Sequence, residues 1–180
     1  GTATTEIYTL SLHDALPILN IKGNTVTNES VIRAELELDE GDPYSKVKLE
    51  KTVANLKSRD LFKTVNQKVL DGSSNDLKVL EITVEEKPTG EIMAAAGVGT
   101  QGTSFQFAVK ENNWLGRGIS LKSQVNLSQE KVSGNISITN PNYNYSGNAV
   151  SSSLEVSSTD RSNTSGFSSS RTGFGLGTSP

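Results

Sequence analysis

From Ser104 to Ser157 apolar and polar residues alternate with a period of two, in one run after another. Phe105, Phe107 and Val109 alternate with Ser104, Gln106, Ala108 and Lys110. Ile119, Leu121, Val125 and Leu127 do the same against Ser120, Lys122, Gln124, Asn126 and Ser128. The pattern returns as Val132, Ile136 and Ile138 against Ser133, Asn135, Ser137 and Thr139, and again as Val150, Leu154 and Val156 against Ser151, Ser153, Glu155 and Ser157. Successive side chains of a strand point to opposite faces, so each run predicts a strand with one apolar and one polar face. The longer runs approach the ~9 to 11 residues that cross a bilayer at a tilt. A soluble antiparallel sheet with one wet face gives the same alternation.

The turns between these runs are of two kinds. "GTQGT", "SQEK" and "STDRSNTS" are polar, whereas "ENNWLGRG" and "NPNYNYSG" carry Trp114, Tyr143 and Tyr145. In a meander that starts at Glu91 the aromatic turns are the second and fourth, so they fall on one side. An interfacial aromatic girdle on a membrane barrel has this appearance. The face of Phe105, Phe107, Leu121, Leu127, Ile136 and Leu154 is then expected to meet lipid, and that of Lys122, Gln124 and Asn126 the lumen.

Composition divides the chain. Leu19–Gly90 holds 24 charged residues in 72, and Glu91–Pro180 only 11 in 90, the latter rich in Ser, Asn, Gly and Thr. The change falls at "EEKPTGE", where Pro88 and Gly90 punctuate the sequence. A net charge of −3 with no basic stripe argues against nucleic acid as a partner. Cysteine is absent, which leaves no disulfide framework and no cysteine metal site. There is no run of ~18 apolar residues to form a membrane helix, a fact that does not bear on a β-barrel.

The stretch Thr2–Ile18 contains the single histidine, His13, beside Asp14. Read back into codons, it matches at every position a run from ACG GCG ACC ACC to CTT CCG ATC that resembles a standard short-read sequencing adapter. Residues 1–18 are therefore taken as an assembly artefact, excluded from the fold and given no functional weight. The chain stops at "GLGTSP", inside an expected strand, so both ends are expected to be cut by sequencing.

The first part, 19–90, reads β-α-α-β-β. "LNIKGN" is a short strand closed by Gly23 and Asn24. "TNESVIRAELEL" is a helix that Thr27 or Asn28 can cap, with Val31, Ile32, Glu35 and Leu36 at helical spacing. Gly41 and Pro43 end it. Val47, Leu49, Val53 and Leu56 mark a second amphipathic helix over Ser45–Lys57, capped by Ser45. "LFKTVNQKVL" and "DLKVLEITVEE" are strands joined by the hairpin loop "DGSSND". In the latter Leu77, Val79, Glu81, Thr83 and Glu85 alternate with Lys78, Leu80, Ile82, Val84 and Glu86.

"IKGNTVTNESVIRAEL", "EGDPYSKVKLEKTVANLKSRDLFKTVNQKV" and "VEEKPTGEI", in that order, resemble the last polypeptide-transport-associated (POTRA) domain of the BamA family, the outer-membrane barrel-assembly factors. The usual pattern places a Gly and an aromatic before the second strand, where this chain has Arg59, Asp60, Leu61 and Phe62; the departure touches loop packing, not the fold. "GVGTQGTSFQFAVKENNWLGRG" and "SITNPNY" are similar to the first strands of that family's barrel. The resemblance covers Ile21 to about Pro141. It implies an α+β POTRA domain over 19–90, followed over 91–180 by the first part of an incomplete antiparallel transmembrane β-barrel. It also implies the outer membrane of a Gram-negative-type bacterium, with the POTRA domain in the periplasm. The implied partners are unfolded outer-membrane β-barrel clients, periplasmic lipoproteins of the assembly machinery and the lipid bilayer, and no cofactor.

Other motifs carry less. "GVGTQG", Gly97–Gly102, fits G-x-G-x-x-G, but a dinucleotide site needs a helix next and "TSFQFAVK" reads as a strand. Glu85 and Glu86 are neighbours on a strand and point to opposite faces, so they make no catalytic pair. Ser151–Ser153 has no base beside it. The chain is not expected to be an enzyme. Glu35, Glu37, Asp39 and Glu40 form an acidic patch that most simply reads as a solvated face; the resemblance marks Glu35, with Glu37, as a docking point for a lipoprotein.

The remaining candidate is "EIMAAAGVG". Ala and Gly are poor strand formers, so Ile92, Met93, Ala94, Ala95, Ala96, Gly97, Val98 and Gly99 make a strand that pairs weakly. In a closed barrel this strand meets the last one. A seam there that opens sideways exposes an edge able to template a client strand through main-chain hydrogen bonds. Small residues that merely relieve crowding inside the barrel are the simpler account. The expected function is assembly and insertion of outer-membrane β-barrel proteins by edge-strand pairing at a lateral gate. The alternatives are a protein translocator of the same superfamily, or a soluble all-β binding or adhesin module behind an α/β domain.

Overall fold

The computed structural model describes residues 16–73, 77–99 and 102–180. His13 and Asp14, most of the "DGSSND" loop and the tip of "GTQGT" lie outside these residues. The chain divides into two compact units, the first holding the chain up to Asn24 and Ile32–Glu86, the second Thr25–Val31 and Lys87–Pro180.

In the first unit β1 (Leu16–Lys22), β2 (Phe62–Asp71) and β3 (Leu77–Glu86) form a sheet of order β1-β3-β2. β3 is central, parallel to β1 and antiparallel to β2. Its alternation places Leu80, Ile82 and Val84 in the core, as the sequence predicts. β1 starts three residues earlier than the expected strand: Leu16, Pro17 and Ile18 stand opposite Leu77, Lys78 and Val79. The adapter-like stretch thus supplies the first rungs of the parallel ladder.

Helix α2 (Lys46–Ser58) closes the core over this sheet with Leu49, Thr52 and Leu56. The Ser45 hydroxyl accepts from the Lys48 N–H at 3.4 Å, the expected cap. Val47, expected on the apolar face, is 75% exposed; the buried stripe runs 49, 52, 56. Thr52 earns a buried place because its hydroxyl accepts from the Glu37 N–H at 2.9 Å.

The first helix is shorter than expected. α1 spans only Glu29–Arg33, against the twelve-residue run that the apolar spacing suggests. Beyond it Glu35 and Leu36 donate to the Ile32 and Arg33 carbonyls, three residues back, which tightens and ends the helix. Side chains of α2 capture the peptide groups that a longer helix would use internally. Asn55 Nδ2 donates to the Glu35 carbonyl at 3.3 Å, and Thr52 takes the Glu37 N–H. The turn brings Leu38 into the core.

Between α2 and β2 the chain reverses at Asp60, whose φ is +58°. This left-handed position suits Gly, and Asp and Asn tolerate it better than most residues. The stretch "RDLF", where the sequence departs from the expected pattern, thus places at the left-handed position a residue that can hold it. Leu61 and Phe62 then bury immediately.

In the second unit β4 (Gly90–Gly99), β5 (Gly102–Trp114), β6 (Ile119–Ser128), β7 (Lys131–Asn140), β8 (Ala149–Arg161) and β9 (Phe167–Ser179) form an antiparallel meander in sequence order. β8 runs further than expected, through residues the sequence reads as a turn. Glu130, in the β6–β7 turn, holds it there: its carbonyl accepts from the Asp160 N–H at 2.8 Å and its carboxylate from Arg161 Nε at 2.9 Å.

The registers fix the two faces. Ala94, Phe107, Val125, Gly134, Val156 and Thr172 form one continuous row across the six strands. The next row on the opposite face is Ala95, Gln106, Asn126, Ser133, Ser157 and Arg171. Phe105, Leu121, Leu127, Ile136 and Leu154 share the first face, and Lys122, Gln124 and Asn126 the second, as the alternation predicts. Among the described residues of Gly90–Pro180 no apolar side chain beyond glycine is buried. A water-soluble sheet would cover this face with a second layer.

Candidate functional site

β4 and β9 are the two edges of the second sheet. Every residue of β4 is exposed, and six of its ten are Ala or Gly. Which main-chain groups the edge presents follows from the ladder. The Asn112 N–H donates to the Thr89 carbonyl at 3.2 Å, which makes Thr89 and Asn112 a hydrogen-bonded pair. Such pairs alternate in an antiparallel ladder, so residues 91, 93, 95, 97 and 99 turn their N–H and C=O toward β5. Ile92, Ala94, Ala96 and Val98 turn theirs to the open side. Their side chains lie on the apolar face with Phe105, Phe107 and Val109.

With Gly90, which lies in the same alternation, the edge therefore offers five N–H donors and five acceptors from small or aliphatic residues that place no charge beside it. β4 lacks the charged or proline residues by which sheets ordinarily protect such an edge, apart from Glu91 near its start. The sequence reading singled out β4 but not β9. Its signal is present: Phe174 and Leu176 alternate with Gly173, Gly175 and Gly177. At Gly175 and Gly177 a Cβ would stand 2.6 Å from the Ser153 and Ser151 hydroxyls across the ladder.

Tyr143 and Tyr145 lie in the fourth turn of the meander, whereas Trp114, expected in the second, is the last residue of β5 and pairs with Ile119; all three are exposed. Asparagines build the fourth turn. Asn142 Oδ1 accepts from the Gly147 N–H at 2.9 Å, Asn140 Oδ1 from the Asn142 N–H at 3.1 Å, and the Tyr143 N–H donates to the Asn148 carbonyl at 2.8 Å.

The acidic residues of the first unit are engaged within it. Glu35 pairs with Arg59 at 3.4 Å, both largely covered, and Glu37 pairs with Lys51 at 2.9 Å and accepts from Asn55 at 3.2 Å. The Lys51 contact, then the Asn55 amide, hold the Glu37 carboxyl below the usual glutamate range. Glu40 meets Arg33 at 3.3 Å. Glu85 is paired with Lys63 at 2.9 Å rather than with Glu86. After Gly97–Gly102 comes strand β5, not the helix that a dinucleotide site requires.

Residues 19–87 match the POTRA family model, described as the surface antigen variable number repeat. A POTRA domain of β-α-α-β-β order followed by an antiparallel meander with one bare apolar face defines the class that joins such domains to an outer-membrane β-barrel. Among curated relatives, the outer membrane protein assembly factor BamA of Neorickettsia risticii (strain Illinois) is 34% identical over 54% of this chain and 13% of its own. That of Neisseria meningitidis serogroup B is 28% identical over 72% of this chain and 16% of its own. The crystal structure of BamA from Haemophilus ducreyi lacking POTRA domains 1–3 superposes with a TM-score of 0.72 at 22% identity, covering 90% of this chain and 31% of that one. The chain carries a POTRA domain over residues 19–87 and resembles BamA proteins over the part it shares with them. It spans less than a fifth of the length of these curated relatives.

Proposed function

We propose that the chain acts in the outer membrane in the assembly of β-barrel proteins, with its POTRA domain in the periplasm, and that the open edge of β4 is where a client strand pairs. The observation that carries this reading is the composition of β4: six of its ten residues are Ala or Gly, and Ile92, Ala94, Ala96 and Val98, which turn their main-chain groups away from β5, place no charge beside them. Main-chain pairing demands little of the client's sequence. The small residues of β4 give weak packing to any neighbour, so a seam closed on this strand opens more readily than the seams between β5 and β8.

The six-strand apolar face supports a bilayer as its cover, since exposed patches of this extent mark membrane or partner contacts. Trp114, Tyr143 and Tyr145 then sit at the water interface. Glu35 and Glu37 are the proposed docking point for a periplasmic lipoprotein, whose basic groups would take the places of Arg59 and Lys51.

The test uses a full-length protein that bears this chain, with cysteines at Ala95 and at the facing position of the barrel's last strand. Ala95 bonds toward β5, so toward the open side it occupies a non-hydrogen-bonded position. There Cα atoms approach to about 4.5 Å, within disulfide reach. Client insertion is expected to stop when the pair is oxidised and to return on reduction. Undiminished insertion with the seam locked would overturn the gate and leave the family and fold intact.

A further inference from the structure

Among the described residues of Gly90–Pro180 only three are buried: Asn113, Gly116 and Gly118, all at the turn between β5 and β6. Asn113 and Gly116 meet a segment of the same unit that comes from far away in sequence, Thr25–Val31. Asn113 Nδ2 donates to Thr27 Oγ1 at 2.9 Å, and Thr27 is 2% exposed. The Asn113 Oδ1 accepts from the Gly118 N–H at 2.8 Å, and its own N–H donates to Glu111 Oε1 at 2.7 Å. The Thr89 hydroxyl donates to the same Glu111 oxygen. A second bond runs from the Asn28 N–H to the Gly116 carbonyl at 2.8 Å.

The turn is shaped for this segment. A Cβ on Gly116 would stand 2.1 Å from the Val26 carbonyl oxygen, so only Gly lets the two backbones meet. Leu115, Gly116 and Gly118 have φ of +56°, +69° and +63°. Leu115 is strained in that region, and it stays 71% exposed. Positive φ is common where antiparallel strands are joined tightly; what sets this turn apart is that its Gly116 carbonyl and Asn113 side-chain amide are bonded to Thr25–Val31.

We propose that Thr25–Val31 is a strap seated on the β5–β6 turn, that Asn113 is the residue positioning it, and that the strap opens and closes with the second sheet rather than with the three-stranded sheet flanking it in sequence. The seat is polar: an amide, a hydroxyl and two peptide groups fix it, while Val26 stays 67% exposed. Directional bonds set one register for the strap, which apolar contact alone would not. This role needs neither the gate nor client pairing.

Amide hydrogen exchange in a full-length protein bearing this chain, in detergent micelles, reads the seat through the Asn28 N–H. Asn113→Ala and Thr27→Val should each speed Asn28 exchange by about tenfold, and Thr27→Ser, which keeps the hydroxyl, by less than about twofold. The double variant should be no faster than the faster single one, because both remove the same bond. Amides of β2 and β3 should keep their protection throughout. Should Asn113→Ala loosen β5 and β6 as a whole, Thr27→Val, which lies off that sheet, decides alone. Unchanged Asn28 exchange in Thr27→Val, or Asn28 protection lost together with β2 and β3, overturns the proposal.

Discussion

Gly23 passes so close to Val84 that a Cβ on it would stand 1.9 Å from the Val84 carbonyl oxygen, and its φ of +91° is one that side chains rarely adopt. The obstacle is main chain on the central strand, so it has no rotamer by which to yield. Gly23→Ala should therefore destabilise the first unit by about 3 kcal/mol, through backbone strain and displacement of β3. Chemical denaturation followed by a probe in that unit checks this; a loss below about 0.5 kcal/mol would show that the close approach is easily relieved.

Asp60 tells the opposite story, since it holds at φ +58° a conformation that glycine adopts freely. A left-handed side-chain residue costs roughly 1–2 kcal/mol. Asp60→Gly is expected to raise stability by about 1 kcal/mol, part of the relief being lost to the greater freedom of the unfolded chain. A lower denaturation midpoint in the variant would mean that contacts of the Asp60 side chain outweigh its strain.

For the second sheet, the central apolar row gives a sharper test than its margins. Val125 lies mid-row between Phe107 and Gly134, with Gln124 beside it on the polar face. Val125→Arg should cost roughly 2–4 kcal/mol in a bilayer and impair barrel assembly, whereas Gln124→Arg should be tolerated. Leu121 is nearer the turn and stands opposite Glu111, so Leu121→Arg should cost less, roughly 0–1 kcal/mol at an interfacial depth. Heat-modifiable migration of the full-length protein reads assembly, and the reverse ranking would swap the faces.

Glu37 sets a pH dependence. Its folded pKa is depressed below the ordinary 4.5 by the Lys51 contact first and the Asn55 amide second. The stabilisation is therefore present above the unfolded value and is lost as pH falls below it through the folded value. Comparing denaturation midpoints at about pH 6 and about pH 3, Glu37→Gln should flatten part of the decline. Asp71, lowered by Lys78, and Glu85, lowered by Lys63, keep the remainder. An unchanged slope would mean that the Lys51–Glu37 pair does not persist in solution.

The extended β1 has a measurable consequence as well. Removing the chain through Ile18, compared with removal through Ala15, takes away the rungs opposite Leu77, Lys78 and Val79. The difference should be roughly 1–2 kcal/mol, the scale of one or two net main-chain hydrogen bonds at an edge. Equal melting temperatures would show that those rungs contribute nothing.

The sequence by itself determined what depends on period and on local chemistry. Alternation from Phe105 to Val156 fixed the strands and both faces of the second sheet, because a register that slipped by one residue would turn every apolar side chain over. Ser45 announced its helix because capping is settled within one turn, and the joint order of segments from Ile21 to Lys87 carried the family. Tertiary structure decided where distant groups compete for the same peptide bonds. α1 stops at Arg33 because Thr52 and Asn55, on another helix, take the main-chain groups beyond it, and β8 runs to Arg161 because Glu130 bonds it. β1 reaches back to Leu16 because β3 offers a ladder to whatever sequence precedes Leu19. The pairing of Thr27 with Asn113 leaves no periodic trace, since a hydrogen bond between residues so far apart in the chain depends on positions in space that only the folded backbone supplies.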